Sequence, residues 1–411
     1  MTTTVAAAQP LPTPETESIS AALIPIVAAI GAQAPARESQ SHSPEPEVAA
    51  LAAAGLGRLR VPVEFGGGGS SVSELASELI RLAAADSNFV QIFRGHLGFV
   101  EFLLRLDASP VRDELLAAAG RGELFGPAAS VSASGKPGEA APTTIIDSST
   151  TLERGENTLV LSGSKYYTTG SLYAQWINVL VINDDGVFEV VVGRNDPGVG
   201  VIDDWNGFGQ RFTASGTAHF DRVEVRPGYA LRRESAATGE YLNAFYQLVH
   251  SSTQAGILER ATRDLGELVA GRTRSYPLAT ATPPRHDPQV LEVVGEVKTA
   301  AYGTRSAVTA AALTVDGYNA DPSPQGLNEV IVAAAATQVL NTRLAGEATW
   351  RFFDAASASA TDLDLALDRH WRNARTISSH NPVIYKARSI GEYLVNGELP
   401  SSFGTIIAPR E

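Results

Sequence analysis

The spacing of apolar residues changes twice along the chain, and that order constrains the fold more than any other feature. Between residues 18 and 123 the pattern is helical. Residues 74–86 (ELASELIRLAAAD) repeat apolar positions at three- and four-residue steps, as a helix facing a core does. Pro44, Pro46 and the run Gly66-Gly67-Gly68-Gly69 punctuate this zone. Between 124 and 228, short β-branched and aromatic runs take over at 159–161, 176–182 and 187–192, and Asp184-Asp185-Gly186 reads as a hairpin turn. From 229 to 411 the helical period returns in four long segments, 242–271, 289–320, 326–356 and 371–395, each long enough for a bundle helix. The expected organisation is a mobile tail (1–17), an N-terminal helical domain (18–123), a central β domain (124–228) of barrel or sandwich type, and a C-terminal helical bundle (229–411). The class is α+β, mainly α, with no internal repeat.

Composition narrows the function. The net charge is −13 and no Lys/Arg cluster stands out, which argues against a nucleic-acid or anionic-membrane partner. The chain has no cysteine. Disulfides, thiolate catalysis, iron–sulfur clusters and cysteine zinc sites are excluded together. The apolar stretch 19–30 is shorter than the roughly 20 residues that cross a bilayer, so it reads as the first helix of the fold. The segment before it lacks the basic residues of a signal peptide, and a cytoplasmic protein is the expectation.

The common cofactor signatures are missing. No G-x-G-x-x-G occurs, since Gly55-Leu56-Gly57 runs into Arg-Leu-Arg and Gly207-Phe208-Gly209 into Gln-Arg-Phe. There is no Walker A motif and no G-x-S-x-G elbow. Electrons for any redox reaction must therefore arrive on something other than a resident NAD(P)H. The seven histidines, at 42, 96, 219, 250, 286, 370 and 380, show no metal spacing. The run Gly66–Gly69 is either a phosphate cradle or a plain interhelical loop. Two segments are chemically unusual. Lys165-Tyr166-Tyr167-Thr168-Thr169-Gly170-Ser171 is either a β-edge with its turn, or an aromatic wall with hydroxyl donors suited to a planar cofactor. Arg369-His370-Trp371-Arg372-Asn373-Ala374-Arg375, followed by Ser379-His380-Asn381-Pro382, is either a solvated helix face or one side of a cleft.

These segments, in this order, resemble the acyl-CoA dehydrogenase superfamily, and within it the flavin-monooxygenase branch typified by dibenzothiophene monooxygenase. The match runs through Val61-Pro62-Val63-Glu64-Phe65-Gly66-Gly67, Leu82-Ala83-Ala84-Ala85-Asp86 and the Lys165 strand. It continues through Asp203-Asp204-Trp205-Asn206-Gly207-Phe208-Gly209-Gln210-Arg211 with Thr213, Ser215, Gly216 and Thr217. Its last piece is Trp371-Arg372-Asn373-Ala374-Arg375-Thr376 running into Ser379-His380-Asn381-Pro382-Val383-Ile384-Tyr385-Lys386. The set spans residues 50 to 400. The resemblance implies N-terminal helices, a central β-barrel and a C-terminal four-helix bundle, assembled as a homotetramer.

It also implies roles. Tyr167, Thr168 and Thr169 would line the flavin ring, with Thr169 near N5 and Trp205 on the barrel side. Arg272, with Arg274 beside it, would reach the flavin phosphate of a neighbouring subunit, where a guanidinium fork matches phosphate oxygens. Arg369 and Lys386 are candidates for that phosphate on the C-terminal side. His380 and His96 would stand at the reactive face, and Phe99, Pro127 and Asn381 would line the substrate pocket. Many acyl-CoA dehydrogenases carry their catalytic glutamate where this chain has Asn381, and asparagine cannot act as a carboxylate base. The chain departs from dibenzothiophene monooxygenase at Pro127, where an asparagine is expected, and at Ile377, which replaces a second histidine.

The implied activity is that of a two-component monooxygenase. Reduced FMN, or alternatively FAD, would come from a separate NAD(P)H-dependent reductase. It would form a C4a-hydroperoxide with O₂ and oxygenate a small aromatic or heteroatom-containing substrate. The alternatives are an acyl-CoA dehydrogenase with a relocated base and a non-catalytic flavin-binding homologue.

Overall fold

The structure is a computed structural model that describes residues 12–40, 42–130, 149–155 and 158–399. Five helices come first: α1 (Pro14–Gln40), α2 (Glu45–Ala54), α3 (Val72–Ala85), α4 (Ser87–Leu103) and α5 (Pro110–Gly120). The expected tail is thus helical from Pro14, and residues 1–11 lie outside the described residues. In α1, Ile19, Leu23, Val27 and Ile30 fall on one stripe and are buried, which is why this apolar segment joins the core. One reading needs correcting. The segment 19–30 alone is too short for a membrane, but the helix containing it is long and apolar enough to cross one. A third of its apolar stretch is buried, along the stripe just named, and Arg37 pairs with Asp86 (2.7 Å) and Glu47 (2.9 Å) to fasten the helix's end.

Helix α3 starts where the sequence supplies a complete cap. Ser71 Oγ accepts from the Glu74 N–H, and the Glu74 carboxylate accepts from the Ser71 N–H at 2.6 Å. Such a cap contributes about 1 kcal/mol. Helix α4 has no polar face at all, and every residue from Ser87 to Leu103 is buried. It is the central strut of the molecule.

Among the described residues, the middle of the chain forms two four-stranded sheets. One has the order β1 (Phe125–Ala128), β4 (Trp176–Asn183), β5 (Gly186–Gly193), β8 (Ala230–Arg232). The other has β2 (Thr150–Arg154), β3 (Leu159–Lys165), β7 (Thr217–Val225), β6 (Val199–Ile202). The pair β1–β4 is parallel and the rest are antiparallel. The anticipated hairpin joins β4 to β5, with Asn183 opposite Gly186 and Asn183 Oδ1 accepting from the Asp185 N–H at 3.0 Å.

Three long helices then pack together: α6 (Ala236–Gly271), α7 (Pro288–Ala320) and α8 (Pro324–Ala356). Asp287-Pro288 and Ser323-Pro324 start two of them, a side-chain acceptor followed by the residue whose missing N–H costs nothing there. The expected fourth helix over 371–395 is broken. It becomes α9 (Arg369–Ser378) and α10 (Lys386–Asn396), because Pro382 disfavours a helical residue before it and cannot donate to the turn. The break leaves His380 and Asn381 outside any helix, at the mouth of the bundle.

Candidate active site

Two segments of the β region make one wall. The Thr168 N–H and hydroxyl both donate to the Gly216 carbonyl (3.1 and 2.9 Å), and the Gly170 N–H donates to Thr213 O at 2.9 Å. Behind this lacing runs a chain of hydroxyls, Thr169 to Ser215 (2.8 Å), Ser215 to Thr213 (2.7 Å) and Thr213 to Gln210 O (2.8 Å). Only the last bond has a pure acceptor, so each hydroxyl passes its proton along the chain and Thr169 is left with acceptor capacity. Tyr167, at φ 63°, turns out of the wall with its ring 57% exposed, 6.2 Å from Trp205 and 4.7 Å from Tyr166. Trp205 is fixed by its Nε1–H donating to Gln210 O at 2.9 Å. Phe208 and Trp371 stack beside it at 5.8 Å. These are large aromatic faces left uncovered by the fold, which is how a site for a flat ligand is lined.

The same loop is clamped to the helices. The Gln210 N–H donates to Asn373 Oδ1 (2.6 Å) and the Gln210 amide to Ser87 Oγ (2.8 Å). Gly209 lies so close to α9 that a Cβ there would stand 2.3 Å from Arg372 O, so this approach requires glycine.

The opposite side is a polar cluster. His380 Nε2 accepts from Arg94 Nη2 at 3.1 Å, and the His380 and His250 rings meet edge to face at 4.6 Å. Because the guanidinium can only donate, the His380 proton sits on Nδ1. Gln338 of α8 donates to the Asn381 carbonyl (3.0 Å) and holds the loop in place. Enclosure of the ring and the adjacent Arg94 push the His380 pKa down, although the residue's outer atoms remain solvent-exposed. Burial, His380 and Arg94 push His250 well below its ordinary value. Both imidazoles are neutral at neutral pH. From Asn373, against the wall, to His380 is seven residues along α9 and its end, roughly 10 Å at the helical rise.

The remaining expected residues are placed differently. His96 is not at the reactive face. Residues two apart on a helix project about 200° from each other, so His96 points away from Arg94. Its Nε2–H donates to Gly57 O (2.9 Å) and its Nδ1 accepts from the Phe125 N–H (3.2 Å), with burial pushing its pKa to about 4. Both nitrogens are consumed in joining α4 to the loop after α2 and to β1. His96→Ala is therefore expected to lower the melting temperature markedly, since it strands two buried backbone groups at about 1–3 kcal/mol each. Flavin binding and turnover per folded molecule should be unchanged.

Arg369 is not free for a phosphate either. It is buried, with Nη2 on Asp264 Oδ2 (2.8 Å) and Nη1 on Ala366 O (2.9 Å). The Thr168 hydroxyl is committed to Gly216, so only its backbone flanks the wall. Phe99 is sealed among Phe125 (4.8 Å) and Phe102 (6.0 Å) rather than facing a pocket. Pro127 packs on Gly95 of α4, behind the cleft, and its carbonyl accepts from Ser171 Oγ at 2.9 Å. Lys386 opens α10, half-buried, with burial lowering its pKa and Glu240 raising it. Arg272 donates to Ala355 O at 2.8 Å and so caps α8. With exposed Arg274 it stands 22 residues beyond His250 on or past α6, about 33 Å away, out of reach of its own chain's cleft. Arg94 and His250 were missed as site residues. A signal existed: Arg94 is the one cationic residue in the largely apolar segment 87–103.

The donor set suits a flavin rather than a metal. No group of three or more metal-ligating side chains occurs among the described residues. The aromatic wall and the acceptor hydroxyl of Thr169 fit a flat ring carrying an N–H, and Arg94 Nε and His250 Nε2 are buried polar atoms without partners.

The chain is similar to known proteins over most of its length. Residues 248–384 match the family described as acyl-CoA dehydrogenase, C-terminal domain. Dibenzothiophene monooxygenase of Rhodococcus qingshengii is 26% identical over 359 residues, covering 82% of this chain and 84% of that protein. A probable FMNH2-dependent monooxygenase, SfnC of Pseudomonas putida, is 26% identical over 276 residues, 62% of this chain and 67% of its own. The structure of methanesulfinate monooxygenase MsuC from Pseudomonas fluorescens covers 96% of this chain and 100% of its own, with TM-score 0.85 and 25% identity. FMN-bound TdsC from a Paenibacillus species shows the same fold at TM-score 0.85 and 22% identity, over 96% of this chain and 100% of its own. Residues 248–384 thus match the acyl-CoA dehydrogenase C-terminal domain, the chain shares the fold of these structures, and the relatives it is similar to are monooxygenases, one of them named as FMNH2-dependent.

Proposed function

We propose that this protein is a monooxygenase that takes reduced FMN from a separate NAD(P)H-dependent reductase and oxygenates a small organic substrate. The observation that carries this reading is what the broken fourth helix brings to the cleft. It is a neutral histidine held by Arg94, with Asn381 beside it and no carboxylate hydrogen-bonded or ion-paired to either residue among the described residues. Acyl-CoA dehydrogenation needs a carboxylate to take the α-proton. The name of SfnC supports FMNH2 as the flavin, and FMN-bound TdsC supports FMN.

When bound, reduced flavin would supply the electron pair that activates O₂. One oxygen atom would go to the substrate and the other would leave as water. The chain's own residues have three tasks. Thr169 accepts the ring N–H, its own proton being committed to Ser215. His380 offers Nδ1–H to the bound oxygen and passes the proton on, a role for which the Arg94 bond fixes the tautomer. The lacing of the wall to α4 and α9 excludes water, without which such oxygen chemistry is lost to peroxide. Arg272 and Arg274, remote from their own cleft, would serve the flavin phosphate of a neighbouring subunit in a tetramer, with Lys386 nearer home.

The test uses the purified protein with a generic flavin reductase, FMN and a panel of aromatic, sulfur- and amine-bearing compounds. Oxygenated product is expected only when the reductase is present. NADH or NADPH alone should not reduce flavin on this protein, and acyl-CoAs of any length should leave its oxidised flavin unbleached. Rapid reduction by NAD(P)H alone would overturn the two-component reading, and stoichiometric bleaching by an acyl-CoA would restore the dehydrogenase.

A further inference from the structure

Helix α4 is buried along its whole length and carries two ionised side chains, which are treated differently. Glu101 is matched: Arg60 pairs with it at 2.6 Å and Tyr241 Oη donates to it at 2.6 Å. Arg94, 7% exposed, has no carboxylate within ion-pair distance among the described residues. Its neighbours are His380 Nε2 at 3.1 Å and the Tyr246 ring, 4.9 Å from the guanidinium carbon. Its Nε is buried without a hydrogen-bond partner, and so is Nε2 of His250, itself 97% buried on the facing helix. The approach of the two helices is built in. A Cβ on Gly98 would stand 2.1 Å from the Tyr246 ring, so glycine lets Tyr246 lie along α4 and carry the guanidinium.

A guanidinium cannot shed its proton to escape burial, and an unpaired buried charge is among the costliest features a fold can hold. A cation–π contact and one bond to a neutral imidazole return only part of that cost. Glu189 of β5 is already taken by Arg233. Arg94 is therefore a cation whose counter-charge the described protein does not supply, at the mouth of a cleft, beside an unsatisfied histidine.

We infer that Arg94, assisted by His250, receives the negative charge of the molecule to be oxygenated, so that the substrate is a small organic anion such as a carboxylate or sulfonate. This deepens the oxygenase reading and rests on it. The anion would be anchored on the α4–α6 side, beside His380 and across the cleft from the aromatic wall, leaving its uncharged end toward the space between them.

Binding is measured without flavin or turnover, so that failure here is distinguishable from failure of the oxygenase reading. The full-length protein is titrated calorimetrically with benzoate, with the isosteric neutral benzamide, and with methanesulfonate. Wild type should favour benzoate over benzamide, and Arg94→Gln should weaken benzoate binding by about 10- to 100-fold, the worth of a charge-assisted bond, without changing benzamide. Arg94→Lys should recover part of the preference. Benzoate should also raise the melting temperature of the wild type where sodium chloride at equal ionic strength does not, a readout that survives if a variant fails to fold. Equal binding of benzoate and benzamide, or a preference that persists in Arg94→Gln, would overturn the inference. It would also be overturned if benzoate competes with FMN and the variant loses FMN affinity by the same factor, because the charge would then belong to the flavin.

Discussion

Replacing His380 by alanine should leave a folded protein that still binds FMN but loses most of its product. His380 buries no apolar surface of the core. Its side chain contacts Arg94 and His250, and its backbone is held independently through Gln338 and the Asn381 carbonyl. The melt should fall only modestly, by the roughly 1–3 kcal/mol that buried Arg94 loses with its one side-chain hydrogen bond. Product formed per reduced flavin consumed should fall by roughly 10²–10⁴, the usual worth of a positioned acid or base, while hydrogen peroxide release rises to match. His380→Gln keeps a hydrogen-bond donor without a titrating proton, and should restore part of the coupling without the full rate. Unchanged coupling in the well-folded alanine variant would remove His380 from the chemistry.

The second large effect concerns stability. Asp264 of α6 accepts from Arg260 Nε (2.6 Å), Arg369 Nη2 (2.8 Å) and His370 Nε2 (2.8 Å), and all but Arg260 are buried. Asp264→Ala leaves two guanidiniums facing each other with no counter-charge, and about 3–5 kcal/mol of destabilisation is expected, as for breaking one partner of a buried pair. The loss should be smaller in an Arg369→Met background, because one stranded charge is gone. Arg369→Met alone should leave FMN affinity unchanged, in contrast to a phosphate ligand. The pH dependence has a definite sign. His370 and the two arginines hold the Asp264 carboxyl well below its ordinary value. The stability it contributes is therefore fully present above about pH 4, the ordinary range of a free carboxyl, and is lost as pH falls towards the folded value. Thermal melts between pH 7 and pH 3 should show a smaller acid-induced loss for Asp264→Ala than for wild type. Equal losses would mean that this pair does not carry the effect.

The fold was legible because its information is local. Apolar spacing sets α3, the long bundle helices and the β4–β5 hairpin within windows of ten to thirty residues, and Pro382 marks the break that frees His380. The candidate site was readable in sequence only in its contiguous segments, such as Tyr167-Thr168-Thr169. It was illegible where partners lie far apart. The residues that consume both nitrogens of His96 are 39 and 29 positions away, and Asp264 is 105 from Arg369. Arg94 and His380 are 286 apart. A motif can place a histidine on a helix, but which way it projects decides whether it serves the backbone or the ligand. In Arg94-Gly95-His96 the histidine drew attention and the arginine faces the cleft.

The central claim is that this cleft keeps oxygen on a reduced flavin long enough to transfer one atom of it. Anaerobic protein loaded with reduced FMN is mixed rapidly with oxygenated buffer, and the flavin spectrum is followed without any substrate. The account predicts an absorbing species distinct from both reduced and oxidised flavin, persisting in wild type and collapsing in His380→Ala with stoichiometric hydrogen peroxide. Direct conversion of reduced to oxidised flavin in the wild type, with no such species and at the same rate as in the variant, would contradict it.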